Sequence, residues 1–194
     1  MPAKKTLAML VGSAMLLGSS QLMATPTASM LADTCAGCHG TDGVSTGPAG
    51  PTIAGKSAAY LSDVLKAYKE GTRHSTIMQR IAKGYTDEEI DLIAGHYAGL
   101  KWVSMAGEQK FDSAKIAQGE KLYGKNCGKC HDENGALADD DAGLLAGQWL
   151  PYLQYTMADF IGGRSEMPKK MAKKVKKLSD DEIEALLQFF ASQK

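Results

Sequence analysis

Apolar residues recur at helical spacing in two stretches, one near the middle of the chain and one at its end. Ile90, Ile93, Ala94 and Tyr97 form the first stripe, and Ile183, Leu186, Leu187 and Phe190 form the second. Residues three and four apart share a helix face, so each stretch predicts an amphipathic helix. Each also carries a start signal. Thr86-Asp87-Glu88-Glu89 and Ser179-Asp180-Asp181-Glu182 both read as capping boxes, in which a hydroxyl and a carboxylate satisfy free amide donors. Ser57 to Glu70 and Trp149 to Ile161 predict two more helices, stopped by Gly71 and Gly162-Gly163. Ala28 to Ala36 and Ser113 to Cys127 also read as helical. No stretch alternates as a half-buried strand would, so the expected fold is all-α.

The elements form a repeat. At a constant offset of 92, Ile53-Ala54-Gly55 matches Leu145-Ala146-Gly147, Tyr60-Leu61 matches Tyr152-Leu153, Tyr68 matches Phe160 and Gly71 matches Gly163. After one inserted residue the offset is 93: Met78 matches Met171, Thr86 matches Ser179, Ile90 matches Ile183 and Tyr97 matches Phe190. A single gap that reconciles so many positions indicates two copies of one domain. The expected units are residues 25–103 and 104–194, joined across a linker, roughly Gly99 to Asp112, that lacks periodicity. Thr41 to Pro51 is rich in Gly and Pro and predicts irregular backbone, while its counterpart Asp132 to Asp141 is acidic.

Residues 1–24 read as a secretory leader. Lys4 and Lys5 precede the apolar run Leu7 to Leu17, and Leu22-Met23-Ala24 offers a cleavage site. That run is shorter than the about 20 residues needed to span a bilayer, so no membrane span is expected. Export places the chain in the periplasm. The whole chain is neutral, with 22 basic and 22 acidic residues, and loss of the leader removes Lys4 and Lys5. With no basic excess and no basic–aromatic pattern, nucleic acid is not an expected partner.

The chemistry sits in a repeated pentapeptide. Cys35-Ala36-Gly37-Cys38-His39 recurs as Cys127-Gly128-Lys129-Cys130-His131, using all four cysteines. Cys-x-x-Cys-His is the attachment signature of c-type haem: two thiols add to the vinyl groups and the His ligates the iron. A thioredoxin-like pair does not need the His. Zinc-binding Cys pairs are usually about 15–20 residues apart, far closer than these. A disulfide between neighbouring thiols leaves both His unexplained. Two covalent haem c groups are therefore expected, on Cys35, Cys38 and His39 and on Cys127, Cys130 and His131.

The repeat also selects the sixth ligand. Six Met follow the leader: Met30, Met78, Met105, Met157, Met167 and Met171. Only Met78 and Met171 are related by the repeat, each eight residues before its capping Thr86 or Ser179. A Met thioether raises the potential of a His-ligated haem. Met167, one helical turn before Met171, is the competing position. His74 and His96 have no counterparts in the second copy and read as surface or packing residues.

The chain resembles two families. One is the soluble dihaem cytochrome of the c-four type, a terminal electron carrier. The other is the dihaem subunit of flavocytochrome c sulfide dehydrogenase. Ser75-Thr76-Ile77-Met78-Gln79-Arg80-Ile81-Ala82-Lys83-Gly84-Tyr85 looks like the latter. So do Leu145-Ala146-Gly147-Gln148-Trp149-Leu150-Pro151-Tyr152-Leu153-Gln154-Tyr155, Met167 to Met171 and Phe190-Ala191-Ser192. The resemblance implies two tandem class I cytochrome c domains with His39/Met78 and His131/Met171 ligation. It also implies a heterodimer with an FAD-containing subunit that oxidises sulfide, and a soluble acceptor such as a small c-type cytochrome. This chain has no dinucleotide fingerprint, so FAD is expected only on the partner. No nucleophile–base pair is visible, so no catalytic residue is expected. The alternatives are a free-standing dihaem carrier serving a terminal oxidase, or a dihaem enzyme such as thiosulfate dehydrogenase. Lys169, Lys170, Lys173, Lys174, Lys176 and Lys177 read as a solvated helix face or as a docking patch for an acidic partner. Trp149, Tyr152 and Tyr155 are candidate contacts for the flavoprotein, with core packing expected for at least one.

Overall fold

The computed structural model describes residues 25–194, so the expected leader lies outside the described residues. No described residue is in a β-strand. The first half holds α1 (Ala28–Asp33), α2 (Ala36–His39), α3 (Ala58–Glu70), α4 (Met78–Ile81) and α5 (Asp87–Ala98). The second holds α6 (Ser113–Asn126), the single turn α7 (Asp132–Gly135), α8 (Leu150–Ile161), α9 (Lys169–Val175) and α10 (Asp180–Ser192).

Local chemistry explains the helix boundaries. Ser57 caps α3 by accepting from the Tyr60 amide, and Gly71 ends it in the left-handed region at φ 82°. A residue with a Cβ would be strained there. Both capping boxes form, at Thr86 with Glu89 and at Ser179 with Glu182. Pro151 lies in the first turn of α8, where a missing amide hydrogen costs nothing. The expected helix Ala28 to Ala36 is instead two pieces, broken at Thr34 and Cys35. The Thr34 hydroxyl donates back to the Leu31 carbonyl at 2.7 Å and so closes α1. The helix α9 presents the lysines as the solvated face expected of them and turns Met171, Ala172 and Val175 inward. Pro168, extended at ψ 134°, starts it, because its fixed φ suits the position just before a helix.

The repeat reappears in the backbone hydrogen bonds. Ile53 and Ala54 donate to the Gly43 carbonyl at 2.8 and 3.1 Å, and Leu145 and Ala146 donate to Gly135 at 2.8 and 3.0 Å. Gly55 donates to Tyr97 at 2.9 Å, and Gly147 to Phe190 at 2.8 Å. In both halves the irregular loop is thus tied to the end of the last helix.

Each half has its own core. Leu31, Ala32, Leu61, Ile93, Ala94 and Tyr97 form one, and Leu153, Ile183, Leu187, Phe189, Phe190 and Ala191 the other. In the second half α6 crosses α10 at Gly119, where an added Cβ would lie 2.2 Å from the Ala185 carbonyl oxygen. Only glycine lets the two backbones approach this closely. No helix among the described residues is long and apolar enough to cross a membrane.

Gly119→Val should therefore cost at least about 1–3 kcal/mol through overpacking, measured by chemical denaturation. Gly124→Ala, on the same helix with nothing within 4 Å of the new Cβ, should instead stabilise by about 0.5–1 kcal/mol.

Candidate functional site

Both pentapeptides fold into the same helical turn. Cys38 and His39 donate to the Cys35 carbonyl at 3.2 and 3.0 Å, and Cys130 and His131 donate to Cys127 at 3.1 and 3.0 Å. The turn brings two thiols and one imidazole together. None of the four cysteines is in a disulfide: Cys38 and Cys130 are exposed, while Cys35 and Cys127 are half-buried. Burial raises the pKa of both inner thiols.

The two imidazoles differ in their second contact. His39 is buried, and its Nδ1 lies 2.8 Å from the Pro51 carbonyl. A carbonyl can only accept, so Nδ1 carries the proton and Nε2 keeps the lone pair that an iron needs. Burial lowers the pKa of His39, opposed by the Pro51 hydrogen bond. Burial also lowers that of His131, opposed by Asp139. The Nδ1 of His131 is buried with no partner. Its position is fixed otherwise: the Tyr123 hydroxyl donates to the His131 carbonyl at 2.8 Å, and Phe190 packs edge-on at 5.6 Å. The counterpart of Pro51 is Gly143, at φ 64°, and the turn after His131 runs through left-handed Glu133 and Asn134. A neutral imidazole with two cysteines outside any disulfide on one turn is a donor set that fits a covalently attached haem.

Met78 opens α4, half-buried, its amide donating to the Ser75 hydroxyl at 3.0 Å. Met171 lies in the first turn of α9 and is also half-buried. Met167 sits just before that helix and lines a cleft of about 680 Å³ with Phe160, Val175, Leu178 and Ile183. His74 is held by the other half: its amide donates to the Ser165 hydroxyl at 2.9 Å, and its ring meets Asp159 at 3.3 Å. His96 packs edge-on to Tyr97 at 5.3 Å.

The two halves meet across a seam. Gln148 is fully buried; its amide accepts from the Thr52 N–H at 3.0 Å and donates to the Thr52 carbonyl at 2.9 Å. The Trp149 indole donates to the Ser45 carbonyl at 3.1 Å. Trp149 is therefore a packing residue, while Tyr155 is 60% exposed. The Arg73 guanidinium lies 5.5 Å from the Tyr68 ring and 5.6 Å from Phe160, the same position in the other copy. Sequence reasoning missed these roles. The one available signal was that Thr52, Lys56 and Tyr68 pair with Leu144, Gln148 and Phe160 in the repeat.

Comparison with known proteins places this arrangement. Residues 26–97 match the cytochrome c family model, and residues 114–190 match the model described as cytochrome c oxidase, cbb3-type, subunit III. The chain is 31% identical over 164 residues to cytochrome c4 of Pseudomonas aeruginosa, covering 78% of this chain and 80% of that one. It belongs to the dihaem cytochromes of the c4 type. This cytochrome is also similar to the thiosulfate dehydrogenase electron acceptor of Stutzerimonas stutzeri, at 30% identity over 169 residues, 81% of this chain and 78% of the relative. It is 52% identical over 71 residues to the cytochrome subunit of sulfide dehydrogenase from Chlorobaculum tepidum, covering 37% of this chain and 64% of the relative. That match spans less than two thirds of the relative's length. Among solved structures, reduced cytochrome c4 from Pseudomonas stutzeri superposes with a TM-score of 0.75 at 26% identity, over 86% of this chain and 97% of that one. The cytochrome accordingly carries two covalent haem c groups, which supply one-electron iron redox chemistry when bound, and it transfers electrons.

Replacing Gln148 by Leu should leave both backbone groups of Thr52 buried without partners. A loss of about 2–5 kcal/mol is expected from two unmet hydrogen-bonding groups. Denaturant titration of the haem-loaded protein measures it.

Proposed function

We propose that this cytochrome is the periplasmic electron-transfer subunit of a sulfide-oxidising flavocytochrome. The 52% identity to a sulfide dehydrogenase cytochrome subunit is the observation that carries the reading. A separate FAD-containing subunit oxidises sulfide, the two haems take its electrons one at a time, and a soluble acceptor such as a small c-type cytochrome removes them. Cys35 and Cys38 anchor the first haem, with His39 and Met78 as iron ligands. Cys127 and Cys130 anchor the second, with His131 and Met171. A leader over residues 1–24 directs export.

The division into units 25–103 and 104–194 is supported by contacts on either side of Val103. Gly55, in the first half, lies against the backbone of Trp102, where an added Cβ would meet its amide nitrogen at 2.6 Å. Ser104 instead donates to the Gln193 carbonyl at 2.7 Å, in the second half. Partner surfaces follow from exposure. Tyr155, Ile77 and Ile81 are exposed apolar groups suited to a flavoprotein interface. Lys169, Lys170, Lys173, Lys174, Lys176 and Lys177 are all exposed, and suit an acidic electron acceptor. The thiosulfate dehydrogenase acceptor likeness supports a second reading, a free-standing carrier that serves a different sulfur-oxidising donor.

Mature protein should retain two haems through acid–acetone extraction. Met78→Ala and Met171→Ala should each abolish the thioether-to-iron absorption of one haem and lower its potential, while Met167→Ala leaves both bands intact. Loss of a band in Met167→Ala would reassign the second ligand.

Co-expression with an FAD-containing sulfide dehydrogenase subunit should give a stable complex in which sulfide reduces the haems. A cytochrome that stays monomeric beside that flavoprotein, and is reduced only by a thiosulfate-oxidising donor, would put the second reading in its place.

A further inference from the structure

The seam is built on a two-fold relation that is broken in charge. Gln148 reaches the backbone of Thr52. At the matching position in the first half, Lys56 reaches the backbone of Leu144, the counterpart of Thr52, by donating to its carbonyl. The neutral side of the relation is satisfied and the charged side is not. Lys56 is 5% exposed. Its ammonium has three donors, and the Leu144 carbonyl is its one hydrogen-bond acceptor among the described residues. No carboxylate lies within ion-pair distance of it among those residues.

What surrounds Lys56 is aromatic or cationic. The Trp102 ring centre lies 5.1 Å from its Nζ and that of Tyr60 5.6 Å away. Arg73 lies close enough to oppose its charge. Asp140, on the facing loop, is exposed and accepts from the Ser57 hydroxyl instead. A second donor beside it is also unmet: Trp102 Nε1 is buried with no partner. A buried ammonium and a buried indole N–H side by side call for an anionic acceptor that the chain does not supply.

The place of this pair narrows the choice. Leu144 follows Gly143, the counterpart of Pro51, whose carbonyl holds His39. Lys56 therefore joins the loop that orients His39 to the matching loop of the other half. The anions that the family's cofactor brings are its propionate carboxylates. We propose that Lys56, with the Trp102 indole, binds a haem propionate at the seam, and that Lys56 couples the redox state of that haem to a proton.

Reduction of the iron adds one electron and removes one positive charge from the haem. A neighbouring ammonium then holds its proton more firmly, and the proton comes from solvent. Desolvation, aided by Arg73, pulls Lys56 down to about 7 in the protein alone, from an ordinary 10.5. A propionate would raise it again, so the titration should fall between these two values. The sign follows: the potential is high below this window, where Lys56 is charged in both states, and falls as pH rises through it.

Spectroelectrochemical titration of the holoprotein from pH 6 to 10 tests the proposal. In the wild type, the potential of one haem should drop across the range. Lys56→Gln copies the residue of the other half, so haem content should remain two. Its affected haem should start lower at pH 6 and lose at least half of the pH slope. Lys56→Arg keeps a charge that does not titrate in this range and should hold the potential high and flat. A flat wild-type profile, or an unchanged slope in Lys56→Gln, overturns the proposal. The test rests on the two haems alone, and its outcome does not depend on which donor reduces them.

Discussion

The amide of Gln148 fixes the relation between the halves, because it occupies both hydrogen-bonding groups of one buried peptide unit in the opposite loop. A planar amide that meets a backbone N–H and C=O together has almost no freedom in distance or tilt. The loop it grips is the one whose Pro51 carbonyl orients His39. Packing of the halves and orientation of the His39 imidazole are thus set by adjacent residues. Each half is small for an unaided core. Mutual cover across the seam is part of what makes the pair stable.

Arg73 shows the same economy. Its guanidinium lies between Tyr68 and Phe160, aromatic residues that the repeat makes equivalent. Burial raises the Tyr68 phenol to about 12, so it stays neutral and leaves Arg73 its charge. Beside it Asp159 is held below the ordinary carboxylate range: burial works against ionisation, but hydrogen bonds from Arg164 and His74 prevail. These cross-half contacts use side chains that have no place in either apolar core.

The sequence exposed what depends on local rules. Helix caps, the glycine stop at Gly71 and the paired pentapeptides are short-range features, and the repeat let weak signals in one half be checked against the other. Missed elements depended on tertiary context. The first helix breaks where the Thr34 hydroxyl folds back on its own turn. The helix α9 is lysine-rich and short, so its apolar positions Met171, Ala172 and Val175 are too few for periodicity to set its bounds. Lys56, Gln148 and Arg73 are polar residues of kinds that usually face water, and their burial arises only when two loops meet. Trp149 looked like a possible partner contact because aromatic residues favour interfaces. It does serve an interface, the one inside the molecule.

At Ser45, Thr52 and Leu144 the seam uses main-chain groups, which are met by the side chains of Trp149, Gln148 and Lys56. Every amino acid except proline offers the same peptide group. Drift at these main-chain positions therefore leaves the contacts standing, whereas a change at 56, 148 or 149 rewrites them. After duplication, the two copies could diverge freely in one half of the handshake and only sparingly in the other. The Lys56 and Gln148 pair is such a rare divergence: one geometry kept, and its charge made unequal.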